Sequence, residues 1–231
     1  MMDCISVENM RLSDARTIAE LVPGSALMGR AAEGVYRAAQ WHGRVAIVAG
    51  SGNNGGDGFA LACILRRQGV PCEIFTVSPR LSADSASYAE AAQKLGVPVR
   101  PYEDGCLSGF DMVVDCLLGT GFSGRVRDHY RAAIEGINES GAEVISVDIN
   151  SGMNGDTGEA ELAVQSNLTV TIGFVKKGLV TENAGRYMQR LVCVDIGIVL
   201  AYEEDKIGTP GGISCPGWLD RDIIRVREAV L

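Results

Sequence analysis

The chain is poor in the residues that build transition-metal and redox centres. Its 231 residues include two histidines, His42 and His129, and seven cysteines. No cysteine pair has C-x-x-C spacing and no His/Cys cluster has metal spacing, so no zinc set is offered. Neither histidine has a visible partner, and both read as surface residues. Cys63, Cys72, Cys116 and Cys193 lie in apolar runs, where cysteine acts as a small hydrophobe. Odd and unspaced cysteines point to a reducing, cytoplasmic setting. No apolar run reaches 18 residues and no signal peptide is visible, so nothing points to a membrane or to export. A net charge of −8 and a pI near 4.9 argue against a nucleic-acid partner. No G-x-S-x-G elbow supports a serine nucleophile. Repeats, low-complexity tracts and linkers are also missing. With 46% apolar and 22% charged residues, the composition is that of an ordinary globular protein, long enough for one large α/β domain.

Residues 45–59, VAIVAGSGNNGGDGF, organise what is there. Val45–Ala49 is wholly apolar, the pattern of a strand buried on both faces of a parallel sheet. A glycine-rich turn follows, then apolar residues at helical spacing ending at Gly69. This is the first turn of a βαβ unit, where ligands meet backbone N–H groups and a helix N-terminus. Gly50, Gly52 and Gly55 satisfy G-x-G-x-x-G, and Glu73 falls where a ribose-binding acid belongs, so a dinucleotide oxidoreductase is one reading. A P-loop is excluded, because no Gly-Lys-Ser/Thr follows. Neither template explains Asn53, Asn54 and Asp57. Paired asparagines suit a polar ligand plus a cation; the plain alternative is that they supply left-handed turns while Asp57 caps the helix.

Before this unit, residues 6–40 carry two helical patterns. The first has an apolar stripe of Met10, Ala15, Ile18, Ala19 and Val22; the second has Ser25 as N-cap and a stripe of Ala26, Leu27, Ala31, Val35 and Ala38. Both must pack on a flank or on another subunit. After it come strands at 72–77, 110–118, 143–149, 168–172 and 191–194, with helices at 81–95 and 128–140. Helices alternating with apolar strands predict a doubly wound, mostly parallel sheet in three α/β/α layers. The expected division is one domain over 1–231, with N-terminal helices (1–41), a Rossmann-like core (42–200) and a tail (201–231).

Loops at 50–57, 119–125 and 148–157 each follow a strand end, and in an open parallel sheet those ends line one crevice. Asn53, Asn54, Asp57, Asp115, Thr120, Asp148 and Ser151 should therefore meet. The loop GTGFSGR offers a nest of N–H groups suited to phosphate, with Arg125 and Arg127 nearby. Asn54, Asp115 and Ser151 form an oxygen set that a hard cation takes. Asp148 ends a buried strand on rigid backbone; partial desolvation there would make it the better base, so it is the expected proton-transfer group.

GNNGGDG, VVDCLLGTGFSGRV, VISVDINSGMNGDTG, VTIGFVKKGL and LVCVDIGI together resemble the NAD(P)H-hydrate epimerases, the YjeF N-terminal domain family, over most of residues 5–200. The resemblance implies epimerisation of the C6 hydrates of NADH and NADPH (NADHX and NADPHX). It places substrate contacts at Asn53, Asn54, Gly55, Gly56, Asp57, Gly119, Thr120, Gly121, Phe122, Ser123, Gly124, Arg125 and Asp148. Potassium ligands fall on Asn54, Asp115 and Ser151. A homodimer formed with the N-terminal helices is implied too, as is coupling to a separate NAD(P)HX dehydratase, for which this chain is too short. Two positions depart from the family pattern. Gly29 stands where an acid usually follows Leu-Met, and Asn150 replaces the usual proline of Asp-Ile-Pro-Ser-Gly, which should loosen that turn. A non-catalytic interaction module of the same fold is the remaining alternative.

Overall fold

The computed structural model describes residues 4–202 and 223–225. Most of the expected tail therefore lies outside the described residues. In chain order the first elements are β1 (Cys4–Ile5), α1 (Val7–Glu20), α2 (Gly24–Ala38), β2 (Val45–Ala49), α3 (Asn53–Arg67), β3 (Cys72–Thr76), α4 (Ala83–Lys94) and β4 (Val99–Pro101). Then follow β5 (Met112–Cys116), α5 (Asp128–Glu139), β6 (Glu143–Val147), β7 (Leu168–Ile172), β8 (Val175–Lys176), β9 (Leu191–Asp195) and β10 (Ile223–Arg225). Every strand and helix expected from periodicity is present. β1, β4 and β8, two or three residues each, are too short to leave a periodic signal.

The main sheet is parallel throughout, in the order β10-β9-β7-β6-β5-β2-β3-β4. The winding reverses at β2, which has β3 on one side and β5 on the other, so the β2/β5 junction is the topological switch point. Alternate strand residues face opposite layers. Val45, Ile47 and Ala49 pack with α2, α3 and α4, whereas Ala46 and Val48 pack with Tyr130, Ala133, Ile134 and Ile137 of α5. Cys63, Cys72, Cys116 and Cys193 are buried and form no disulfide; burial pushes the Cys72 and Cys193 thiols up to about 11. No helix among the described residues is long and apolar enough to cross a membrane.

α1 differs from its expected face, whereas α2 keeps most of its expected stripe and differs at its cap. α2 has Pro23 rather than Ser25 at its N-cap, with no side-chain cap. It buries Leu27, Met28, Ala31, Ala32 and Val35 inside its own chain. α1 buries a largely polar face, Asn9, Met10, Ser13 and Thr17, and leaves Leu12, Ile18 and Leu21 exposed. It lies along an extended segment whose backbone needs partners. Thr17 Oγ1 accepts from Val199 N (3.0 Å), Ser13 Oγ accepts from Ala201 N (2.8 Å), and Asn9 Nδ2 donates to Tyr202 O (2.9 Å). Three polar residues at i, i+4 and i+8 thus fasten α1 as a wall over the strand ends.

Candidate functional site

The glycine turn after β2 is mostly helix. α3 starts at Asn53, with Gly52 at the N-cap and no side-chain cap. Asn53 and Asn54 are therefore helical and supply no left-handed turn, and Asp57 sits inside the helix and caps nothing. The glycines let α3 lie hard against the strand ends. A Cβ on Gly50 would collide with the Leu117 carbonyl, and one on Gly55 with the Gly50 carbonyl. The α3 N-terminus, with the positive end of its dipole, consequently points into the crevice at the switch point.

The loops after β5 and β6 are tied together by Asp115, which is fully buried. Its Oδ1 accepts from Leu117 N (3.2 Å) and Ser151 Oγ (2.5 Å), and its Oδ2 from Ser146 Oγ (2.9 Å) and Ser151 N (2.9 Å). Burial raises its pKa and these four donors oppose the rise. Ser151 Oγ also accepts from Leu118 N (2.9 Å), and the Leu118 carbonyl accepts from Asn54 Nδ2 (3.0 Å). Asn54 is 8% exposed, yet its Oδ1 has no hydrogen-bond partner among the described residues. A buried oxygen left without a donor needs an explanation. Asn54 Oδ1, the Leu118 carbonyl and the Asp115–Ser151 pair form an oxygen set that fits a hard cation, with Asp115 sharing its lone pairs with the donors it already has.

Asp148, immediately after β6, is the one non-glycine residue with positive φ (71°) among the described residues. Its Oδ1 accepts from Lys176 Nζ and from Ile172 N (3.4 Å). Lys176, on β8, is 1% exposed and also donates to Thr171 Oγ1 (3.0 Å) and the Ile172 carbonyl (2.7 Å). Sequence reasoning passed over Lys176. The only signal was a lysine pair, KKG, after an apolar strand, and nothing in that pattern says which lysine turns inward.

Asn150 does not loosen its turn. Its Nδ2 donates to Val164 O (2.9 Å), Ser166 Oγ (3.0 Å) and Tyr187 O (2.9 Å), and its Oδ1 accepts from Thr169 Oγ1 (2.6 Å). Side-chain cross-links to three segments replace the ring constraint of proline. Gly29 faces the Tyr88 hydroxyl, which donates to Ser25 O (2.9 Å), behind the cavity wall. A side chain at 29 would press on that hydroxyl.

These elements enclose a cavity of about 540 Å³. Asn53, Asn54, Asp57, Gly119, Thr120, Gly121, Phe122 and Asp148 line it, as do Asp14 from α1, Tyr130 from α5 and Lys176. Gly55, Gly56, Asp115 and Ser151 are buried and do not line it, and Ser123, Gly124 and Arg125 are exposed and do not line it. Arg125 is exposed and pairs with Glu161 at 3.9 Å. Burial, then Asp148 and Asp14, push the Asp57 carboxyl well above its usual range, with Lys176 opposing. Burial and Asp148 likewise raise Asp14. Glu73 overturns the oxidoreductase reading. It is the second residue of β3, at the sheet edge opposite the cavity, and it pairs with Arg44 (3.2 Å) and Arg100 (3.7 Å). His42 does have a partner, Glu143 at 3.0 Å, also far from the cavity. His129 is exposed and lies against the Tyr130 ring.

A parallel sheet with its ligand crevice at the switch point, floored by buried carboxylates and a lysine, defines a Rossmann-like α/β protein with a polar small-molecule site. Residues 24–178 match the family model described as YjeF-related protein N-terminus. The chain belongs to that family. It is 36% identical over 219 residues to the bifunctional NAD(P)H-hydrate repair enzyme Nnr of Archaeoglobus fulgidus, covering 92% of this chain and 45% of that one. It is 36% identical over 179 residues to the enzyme of the same name from Coxiella burnetii, covering 74% and 37%. It thus spans less than half the length of these two relatives. The NAD(P)H-hydrate epimerase of Limosilactobacillus fermentum is 34% identical over 199 residues, covering 83% of this chain and 95% of that one. The crystal structure of yeast ynu0 has the same fold, with a TM-score of 0.72 at 20% identity over 85% of this chain and 90% of that one.

Proposed function

We propose that this chain is an NAD(P)H-hydrate epimerase, interconverting the R and S forms of NADHX and NADPHX. One observation carries the reading: in a chain of this family, the α3 N-terminus, the 117–122 loop and Asp148 meet in one cavity. The substrate carbon, C6 of the reduced nicotinamide ring, bears a hydroxyl beside the ring nitrogen. Its configuration is scrambled either by loss of the protonated hydroxyl as water and its return on the other face, or by ring opening to an aldehyde. Both routes move a proton at the hydroxyl oxygen. Asp148, whose Oδ1 is engaged and whose Oδ2 has no hydrogen-bond partner among the described residues, is placed to take and return it. Asp57, held toward its neutral acid form, is suited to give one. The turn at 119–122 and the α3 N-terminus suit a phosphate-bearing ligand.

Asn54, Asp115 and Ser151 with the Leu118 carbonyl would hold potassium, which when bound would supply fixed positive charge for the oxygen that gains negative charge on the ring-opening route. The unit we propose is one domain, partnered functionally by a dehydratase activity, and its buried thiols support a cytoplasmic setting. Incubating purified single-epimer hydrate and following the other epimer by NMR tests the reaction. In potassium the protein should accelerate interconversion, and less so in tetraethylammonium at equal ionic strength. No acceleration in any salt removes the epimerase; identical kinetics in both salts removes only the cation.

A homodimer is also proposed, with a narrower basis than the sequence suggested. α2 satisfies its own apolar face, so the contact falls to Leu12 of α1 and Leu21 at its C-cap, with Ile18, which also borders the cavity. Light scattering should give twice the mass of the 24.5 kDa chain; a monomer at micromolar concentration refutes it. The interaction-module alternative loses its support, because Asn150 is held by cross-links to other segments and Gly29 sits against the Tyr88 hydroxyl.

A further inference from the structure

Four carboxylates share the cavity wall: Asp14 from α1, Asp57 from α3, Asp84 from α4 and Asp148 after β6. Like charges this close push one another toward the neutral form, so they cannot all be ionised with equal ease. Among the described residues, a single buried cation, Lys176, touches the group. Lys176 contacts only Asp148 among the four, and its three N–H bonds are all used, on Asp148 Oδ1, Thr171 Oγ1 and the Ile172 carbonyl. With no donor left over, it can neither bind the ligand nor shuttle a proton without breaking a bond. Its influence runs through Asp148.

The backbone around the pair is built to keep it in place. Lys176 sits on a strand whose register is fixed by the chain's N-terminal strand, with Ile5 opposite Lys176. The preceding strand supplies Thr171 and Ile172, so β7 holds the ammonium at two points and Asp148, from the loop after β6, at the third. Asp148 occupies a left-handed conformation, which a non-glycine residue keeps only when its surroundings over-determine it. Lys176 Nζ and Ile172 N both fasten Oδ1. Oδ2 faces Gly119, where an added Cβ would lie 3.2 Å from it, and Gly119 is itself a cavity wall.

We propose that Lys176 is a positioning residue: it selects Asp148, among the carboxylates of the cavity, as the ionised base and turns the free oxygen of that carboxylate toward the ligand. This rests on the epimerase reading for its consequence and on the ion-pair geometry for its cause. Acid and base roles are thereby divided between two aspartates of one cavity: Asp57, whose carboxyl burial pushes toward its neutral form, and Asp148, which is ion-paired with Lys176. The acids coupled to the pair, Asp14, Asp57 and Cys193, cannot replace the cation, and Arg11 of α1, which also lines the cavity, is exposed and makes no ion pair with Asp148 among the described residues.

The test compares wild type with Lys176→Met, Lys176→Gln and Lys176→Arg. In ligand-free protein, the Asp148 carboxyl carbon is followed by NMR against pH, its signal identified by loss in Asp148→Asn. The Met variant should titrate about one to two pH units higher than wild type, and Arg should stay near wild type. If Met does not fold, Gln keeps donors for Thr171 and the Ile172 carbonyl without the charge and should give the same shift. In the epimerisation assay, kcat at neutral pH should fall about 10–100-fold with KM little changed. The acid limb of the pH profile should move upward in step. A titration unmoved in both neutral variants overturns the proposal, whatever the activity. A moved titration in a wild-type protein that does not epimerise would retain the ion-pair role and overturn the function instead.

Discussion

Asp148→Asn is expected to slow epimerisation by about 10²–10⁴-fold, the usual worth of a positioned general base. Asparagine keeps the size and shape of the side chain and tolerates the left-handed backbone at φ 71°, so the turn itself should survive. Its carbonyl oxygen can still accept from Ile172 N. The change removes the proton acceptor and, with it, the counter-charge of Lys176. An ammonium that is 1% exposed would then be buried without an anion, a defect that costs about 3–5 kcal/mol. Rate and stability should fall together in the single variant, and a rate measurement alone would confuse them. The double variant Asp148→Asn, Lys176→Met separates the two, because it removes both charges and replaces a buried ion pair by neutral groups. Its melting temperature should recover most of the loss. Its epimerisation rate should not. A double variant that regains activity would reduce Asp148 to a tether for the 148–151 turn, and a near-native rate in the single variant would move the proton role to Asp57.

What could be read in advance follows from which signals are periodic and which are not. The six apolar runs became six strands because residues buried on both faces of a parallel sheet leave a continuous apolar signature. The convergence of three loops then followed from topology alone, since all strand ends of a parallel sheet share one edge. Side-chain direction carried no such signature. α1 was read by its apolar residues, yet it meets an extended backbone rather than the core, so Asn9, Ser13 and Thr17 turn inward. Glu73 was placed by its distance in sequence from the glycines; counting from the start of β3 puts it at the opposite sheet edge. The alternative of Asp57 as a cap requires a helix that begins after the glycines, whereas glycine is tolerated in the first turn when close packing requires it. Asn150 was judged by the residue it replaces rather than by its four hydrogen-bonding partners, which lie 14–37 residues away in sequence. Lys176 depended on a two-residue strand paired with the N-terminus, a contact 171 residues apart that no local pattern announces.

Asp115→Asn should lower stability by about 3 kcal/mol at neutral pH and disable the site, although Asp115 does not line the cavity. The four groups around its carboxylate are all placed as donors, and they are divided evenly. Oδ1 faces one backbone N–H, from Leu117, and one hydroxyl, from Ser151; Oδ2 faces one backbone N–H, from Ser151, and one hydroxyl, from Ser146. A hydroxyl can rotate to accept, but a backbone N–H cannot. Whichever way the amide of an asparagine is turned, its NH₂ meets a backbone N–H head-on, and that N–H loses its one hydrogen-bond partner among the described residues in a fully buried setting. Relief requires the Leu117 or Ser151 backbone to move. Leu117 leads into the 119–122 wall of the cavity, and Ser151 Oγ carries Leu118 N, whose carbonyl holds Asn54. Movement at either end therefore displaces Asn54 and the loop that faces Asp148. Urea denaturation measured without potassium isolates the packing cost from any loss of a bound cation. A change under 0.5 kcal/mol in that experiment would mean that the loops after β5 and β6 are held by backbone alone. Substituting Ser146→Ala is the control: it deletes one rotatable donor from the same carboxylate and leaves both N–H bonds intact, so it should cost about 1 kcal/mol and preserve the site.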